Sequence, residues 1–307
     1  MNRGVFYANF SPTQFLYYTA NQNGLIIFLG NFVDIQYIDV PGEHFILHGG
    51  KTSITEICRS GMHWQIFLYK ERKKMVTALI LAGGTDARFK MSIPKQFVNV
   101  NNRPIIVYTL EIFQNHPDID EIIVTCLDGW QEMVRVYGKQ FNITKLKEII
   151  PGGKDAQEST YHGLSLLNER MGQGDIVVVH DAIRPMVSEE IITDSITMCR
   201  KKGMGVAATY IMDTIMHSEN GTEGYQSINR YQIMKVQTPQ AFDFQYIYDL
   251  HNRAIAEKCL GAWDNSSMLT NLGEKVYFSE GSDLNLKINT TEDVEMFKAL
   301  YRMKHPE

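Results

Sequence analysis

The stretch that most limits the fold is VTALILAGG, residues 76–84: a short, almost wholly apolar run that ends on two glycines. A strand wet on one side alternates apolar and polar residues, whereas a strand covered on both faces reads as one hydrophobic run. Covered strands belong to α/β sheets, and ligands of such sheets bind beyond the carboxyl ends of the strands. Runs of the same kind return in EIIVTCL, KEIIPGG, DIVVVHDA and GVAATYI, separated by helical stretches such as IIVYTLEIFQNH, WQEMVRVYGKQF, AQESTYHGLSLLNER and SEEIITDSI. Ser188 suits an N-cap, with Glu189 and Glu190 in the first turn where the helix dipole favours them. Alternation with short connections predicts an α/β fold: a mostly parallel sheet with helices on both faces.

One stretch breaks the rhythm. Asp213 to Lys235 is polar and carries Asn220-Gly221 between short strand-like runs, which predicts a β-hairpin arm projecting at about 213–235. A hairpin with so little core of its own packs on something else. The segment LNLKINTTEDVEMFKALYRM reads as a last strand and then a helix capped near Thr291, with Glu292 and Asp293 in its first turn. The charged run KERKK at 70–74 divides the chain. Residues 1–74 hold strand-like pieces and no catalytic motif; they read either as a small β-rich extension or as sequence upstream of a true start at Met75. Residues 75–307 form the domain that carries the motifs.

Composition narrows the partners. With 30 basic and 35 acidic residues the formal charge is −5, so there is no broad electrostatic case for nucleic-acid binding, and an anionic ligand must be met locally. Cys58, Cys126, Cys199 and Cys259 are widely spaced and suggest reduced cytoplasmic thiols rather than a zinc site or a disulfide framework. The apolar stretch GLIIFLGNFV is too short to span a bilayer, and neither export nor a membrane anchor is expected.

The chemistry gathers at strand ends. Gly83 and Gly84 let backbone amides approach an anion, and Arg88 and Lys95 supply charge that can follow phosphate oxygens. The loop has neither a Walker ending nor a GxGxxG spacing, which disfavours a dehydrogenase; on residue types alone, phosphate cradle and structural turn both stay open. Four further clusters lie beside apolar runs: Pro151-Gly152-Gly153 with Ser159, His180 to Pro185, Gln237 to Gln240, and Asn285-Leu286-Lys287. Taken singly, Asp181 can cap a turn, Thr238 can belong to one, and Lys287 can be a solvated strand residue. His162 and His180 read as structural.

As a series, LAGG…R……PKQF, GG……S, HDA-x-RP, QTPQ-x-F and NLK resemble the cytidylyltransferases that make CDP-activated polyols. That family includes methylerythritol 4-phosphate and ribitol 5-phosphate cytidylyltransferases, and the resemblance runs from Met75 to about residue 300. It implies a Rossmann-like fold and attack of a polyol phosphate oxygen on the α-phosphorus of CTP, with release of pyrophosphate. Ala82, Gly83 and Gly84 would form the nucleotide loop, Arg88 and Lys95 hold the triphosphate, and Gly153 and Ser159 recognise cytosine. Asp181 would bind Mg²⁺ or orient the nucleotide, and Lys287 would neutralise the reacting phosphates. Thr214, Arg230 and Thr238 would meet the polyol phosphate, the first two on an arm that reaches into a partner subunit's site, which implies a homodimer.

Nucleotidyl transfer needs positioning and cations where charge builds, and Arg88, Lys95 and Lys287 with one Mg²⁺ are of that kind. Two positions depart from the family: Asp86 stands where a glycine is usual and Ala156 where an arginine is usual. They leave a second expectation, a non-catalytic homologue that binds or scaffolds in surface-polysaccharide assembly. Within the enzyme reading, LAGG, PKQF and NLKINTTED resemble the ribitol 5-phosphate branch more than the isoprenoid branch.

Overall fold

The structure is a computed structural model that describes residues 74–84 and 93–304, together with six backbone strands among the first 73 residues. The chain divides into two compact units, residues 1–73 and 74–307. In the first unit the strands pair as antiparallel ladders, Leu16–Asn21 with Gly24–Leu29, Tyr37–Val40 with Glu43–Ile46, and Ser53–Ser60 with His63–Tyr69.

The second unit is built on a seven-stranded sheet. In chain order its strands are β1 (Val76–Ala82), β2 (Glu121–Cys126), β3 (Leu146–Pro151), β4 (Ile176–Asp181), β5 (Met204–Tyr210), β6 (Met234–Asp243) and β7 (Phe278–Glu280). Across the sheet the order is β3-β2-β1-β4-β6-β5-β7, and β6 alone runs antiparallel to its neighbours. The apolar runs at β1, β2 and β4 occupy the middle and are buried along almost their whole length, as strands covered on both sides must be.

Alternate residues of β1 define the two layers. Ala78 and Ile80 pack with α1 (Ile105–Asn115), α2 (Gln131–Gln140) and α4 (Glu189–Lys202), through Leu110, Val134 and Ile192 among others. Leu79 faces the other way, toward α3 (Ala156–Leu167), α5 (Phe244–Ala256) and α6 (Asn265–Asn271), through Leu164, Phe244 and Met268. Gly163 permits the close seating of α3, since a Cβ there would fall 2.4 Å from a methyl carbon of Leu79. A third cluster seats α7 (Thr291–Lys304), with Phe297 buried against Ile105, Tyr108 and Ile183.

Ser188 caps α4 as the sequence predicts, its hydroxyl accepting from the Ile191 amide, and Gly203 ends that helix in the left-handed region at φ +83°. Three expectations change. LNLKIN is not a strand: the last strand is Phe278–Glu280, and residues 284–289 run as a loop whose polar groups are taken partly by side chains and partly by backbone. The last helix starts as predicted, but Thr290 supplies the hydroxyl that accepts from the Asp293 amide, one residue ahead of Thr291. The arm is a pair of three-residue strands, Ile215–His217 and Gln226–Ile228, joined through the longer loop 218–225 rather than by a two-residue Asn-Gly turn. Lys235 already belongs to β6.

Candidate active site

The ends of β1 and β3 form the first part of the site. A Cβ on Gly152 would lie 3.2 Å from Ser159 Oγ and 3.4 Å from Gly83 Cα, so the two loops meet glycine to glycine. Among the described residues, a Cβ on Gly84 would meet nothing within 4 Å. The side chain of Gln96 fixes the loop from beneath, Nε2 donating to the carbonyls of Ala82 (2.8 Å) and Gly84 (3.4 Å). Lys95 opens the short turn Lys95–Phe97, which is held by Phe97 stacking on Trp130 at 4.4 Å. Its Nζ donates to Asn289 Oδ1 at 3.1 Å.

Across the cavity Asp155 caps α3 by accepting from the Glu158 amide at 2.8 Å. Ser159 Oγ accepts from the Gly153 amide at 2.9 Å and donates to the Asp155 carbonyl at 2.7 Å. Its proton is therefore committed to the loop and one acceptor lone pair remains, suited to a donor such as the amino group of cytosine. A cavity of about 260 Å³ lies between these loops. Ala82, Gly83, Gly84, Gly153 and Ser159 line it, and so do Lys95, Asp181 and Lys287.

Asp181, at the end of β4, is the charged centre. Lys287 Nζ lies 3.1 Å from Oδ1 and 3.0 Å from Oδ2, and Arg184 Nε lies 2.9 Å from Oδ2. The Asp181 amide donates to Thr238 Oγ1 at 3.1 Å, which links β4 to β6. Burial opposes ionisation of Asp181, but the cations of Lys287 and Arg184 outweigh it and hold the carboxyl well below the usual carboxylate range. Burial also lowers the neighbouring His180, to about 3, so that its imidazole stays neutral beneath the site, in contact with the Arg184 carbonyl.

The loop carrying Lys287 is fixed by hydrogen bonds. Arg184 Nη1 donates to the Asn285 carbonyl at 2.9 Å, and Asn285 Nδ2 donates to the Thr238 carbonyl at 2.8 Å and Gln237 Oε1 at 3.2 Å. The Ile288 amide donates to the Ile183 carbonyl at 2.9 Å. A second chamber of about 240 Å³ opens on this side, bordered by Arg184, Gln237, Thr238, Gln240 and Asp264, and it shares Asp181 and Lys287 with the first.

Most of the predicted site residues thus come together. Arg88 and Asp86 lie outside the described residues. Thr214 and Arg230 line neither chamber of their own chain: Thr214 is exposed, while Arg230 donates to the Met212 carbonyl and lies over the Tyr231 ring. Three further motif residues have roles that only the structure shows. Gln96 holds the Gly83-Gly84 loop, Arg184 holds Asp181, and Asn285 ties the loop of Lys287 to β6. Ala156, the departure from the family pattern, borders both chambers.

No group of three or more His, Cys, Asp or Glu able to hold a metal occurs among the described residues. A Mg²⁺ ion suits the site all the same, because it binds through one or two carboxylates and substrate phosphates. Asp181 Oδ1, with Lys287 as its hydrogen-bond donor, keeps a lone pair for such an ion.

Residues 76–303 match the family model described as IspD, 2-C-methyl-D-erythritol 4-phosphate cytidylyltransferase. The chain belongs to this family. A ribitol-5-phosphate cytidylyltransferase of Lacticaseibacillus paracasei is 40% identical over 233 residues, covering 75% of this chain and 99% of the relative. A 2-C-methyl-D-erythritol 4-phosphate cytidylyltransferase of Clostridium botulinum is 34% identical over 218 residues, 71% of this chain and 93% of the relative. Among solved structures, the 4-diphosphocytidyl-2C-methyl-D-erythritol synthase of Anaerococcus prevotii superposes with a TM-score of 0.64 at 25% identity, covering 75% of this chain and 96% of that one. The chain is an enzyme of the CTP-dependent nucleotidyltransferases. No helix among its described residues is long and apolar enough to cross a membrane.

Proposed function

We propose that the protein transfers a cytidylyl group from CTP to ribitol 5-phosphate, giving CDP-ribitol and pyrophosphate. The observation that carries this reading is the position of Asp181 and Lys287 on the wall shared by two chambers. One chamber has the glycine loops and the Ser159 acceptor that suit a cytidine nucleotide; the other, floored by amides and cations, suits a phosphorylated polyol. The greater identity to a ribitol-named relative than to a methylerythritol-named one supports the choice of acceptor.

In the reaction an oxygen of the acceptor phosphate forms a bond to the α-phosphorus of CTP. The bond from that phosphorus to the bridging oxygen breaks, and its electron pair leaves with pyrophosphate. The acceptor is already an anion near neutral pH, so no general base is needed. Gly83 and Gly84 amides and Lys95 hold the triphosphate, joined by Arg88. Lys287 stands where the two phosphates meet and offsets the charge that builds there. Mg²⁺ held by Asp181 would add Lewis-acid stabilisation of the phosphate oxygens.

The arm completes a second subunit's site in a homodimer, bringing Thr214 and Arg230 to the partner's acceptor. Supporting this, Met212, Met216, Tyr225 and Tyr231 leave apolar surface exposed on an arm with almost no core. Residues 75–307 are the catalytic domain, in a cytoplasmic setting. Pyrophosphate release with CTP, Mg²⁺ and a panel of ribitol 5-phosphate and methylerythritol 4-phosphate tests the proposal. Preference for ribitol 5-phosphate is expected; preference for methylerythritol 4-phosphate assigns the isoprenoid branch instead.

A further inference from the structure

The acceptor chamber has one wall that no described residue of the chain covers. Trp263 borders the chamber and is 92% exposed, more than any other large hydrophobic side chain among the described residues. Its neighbours are fixed. On one side Ala262 is buried and its amide donates to Gln157 Oε1 at 3.0 Å. On the other, Asp264 caps α6 in a reciprocal capping box with Ser267, and its carboxylate accepts from the buried Gln240 Nε2 at 2.7 Å. The backbone is held firmly on both sides, so the freedom that remains is the rotation of the indole itself.

An indole left in water forgoes the burial of a large apolar surface. The rest of the chamber wall is mixed: the apolar side chains of Leu81, Val179 and Val236 stand beside the amide of Gln237 and the cations Arg184 and Lys287. A phosphorylated polyol offers its phosphate to the cations and its hydroxyls to the amide. Its carbon chain also has C–H faces: Leu81, Val179 and Val236 can meet one from the side of the sheet, and an aromatic face can meet the other from the open side. The indole is the largest apolar side chain that borders the chamber, and it is exposed.

We propose that Trp263 is a positioning and specificity residue for the acceptor: its indole folds over the chamber and packs on the carbon chain of the bound polyol phosphate, favouring longer polyols over short ones. This rests on the polyol-phosphate reading of the site.

The test compares wild type with Trp263→Ala and Trp263→Phe, varying ribitol 5-phosphate, glycerol 3-phosphate as a short acceptor, and CTP. In the alanine variant KM for ribitol 5-phosphate should rise roughly tenfold while KM for CTP stays within about twofold. The preference for ribitol over glycerol phosphate should shrink, and the phenylalanine variant should recover most of it. An unchanged acceptor KM, or an equal rise for CTP, overturns the proposal. A second readout needs no turnover. In protein carrying Trp64→Phe and Trp130→Phe, Trp263 is the sole indole, and saturating ribitol 5-phosphate should shift its emission to the blue and protect it from acrylamide. Unaltered emission and quenching also overturn the proposal. Absence of pyrophosphate release by wild type with every acceptor would strike the functional reading instead, and the fluorescence result would still decide the part assigned to Trp263.

Discussion

Lys287 contacts both carboxylate oxygens of Asp181, at 3.1 and 3.0 Å, from 106 residues further along the chain. The strand end and the C-terminal loop are thus joined by a charge pair on the wall shared by the two chambers. The pair is partly buried, with the Lys287 side chain 39% exposed, so its ammonium can turn from the carboxylate to an incoming phosphate.

Replacing that ammonium tests its part in the chemistry. Lys287→Ala and Lys95→Ala should each lower kcat by roughly a hundred- to a thousandfold, about 3–4 kcal/mol of transition-state stabilisation. Pyrophosphate release at saturating CTP and acceptor measures it, and a thermal midpoint near that of wild type shows that the fold is kept. A loss below about tenfold would place these lysines outside the reacting centre.

Ser159 gives a sharper test of the base. With its proton committed to the Asp155 carbonyl, the hydroxyl presents an acceptor, which matches the amino group of CTP and opposes the carbonyl of UTP. Ser159→Ala should raise KM for CTP and reduce the preference for CTP over UTP in kcat/KM by roughly tenfold. An unchanged ratio would mean that base selection rests on other atoms.

The arm predicts complementation. Arg230→Glu should impair acceptor binding and leave CTP binding nearly intact, while Lys95→Ala supplies an intact arm without a working nucleotide site. Equal mixing of the two, after subunit exchange, should restore about a quarter of wild-type activity, since half of the dimers carry one whole site each. Light scattering checks the dimer. Exchange without recovery would show that each site is made within one chain.

His251 makes stability depend on pH. It is buried, its pKa is pushed down to about 4 by burial, and the contact of its Nε2 with Asn265 Oδ1 offsets only part of this. In the unfolded chain the ring titrates near 6.5. Between about 6.5 and 4 the unfolded state therefore binds a proton that the fold refuses, and stability falls as pH falls through that window. The loss is about 2 kcal/mol by pH 5. Urea unfolding at pH 7 and pH 5 should show it, and His251→Gln, which keeps a polar partner for Asn265, should lessen the difference.

How far the sequence could be read depended on which forces left a local mark. Val76–Ala82 and Ile176–Asp181 were legible because burial on both faces demands unbroken apolar runs. The Ser188 cap was legible because it uses a local hydrogen bond. LNLKIN carries strand-like alternation for another reason: Ile288 is buried in the third cluster, while Asn285 and Lys287 serve distant side chains. Thr238 reads as a turn residue, and only the antiparallel pairing of β6 beside β4 brings its hydroxyl to the Asp181 amide. Gln96 reaches back to the carbonyls of Ala82 and Gly84, and Arg184 joins nearby Asp181 to distant Asn285; neither leaves a periodic trace. Trp263 stands in a short polar stretch, where its exposure becomes visible only in three dimensions.

The charge cluster also bears on the order in which things arrive. Arg184 and Lys287 against one Asp181 leave a surplus positive charge, and Lys95 adds to it across the same cavity. A bare dication approaching this place is repelled, whereas a triphosphate carrying one Mg²⁺ still has about two negative charges and is drawn in. A Mg²⁺ ion would then come as a passenger of its nucleotide, and the rate would follow the concentration of that complex rather than of the free ion.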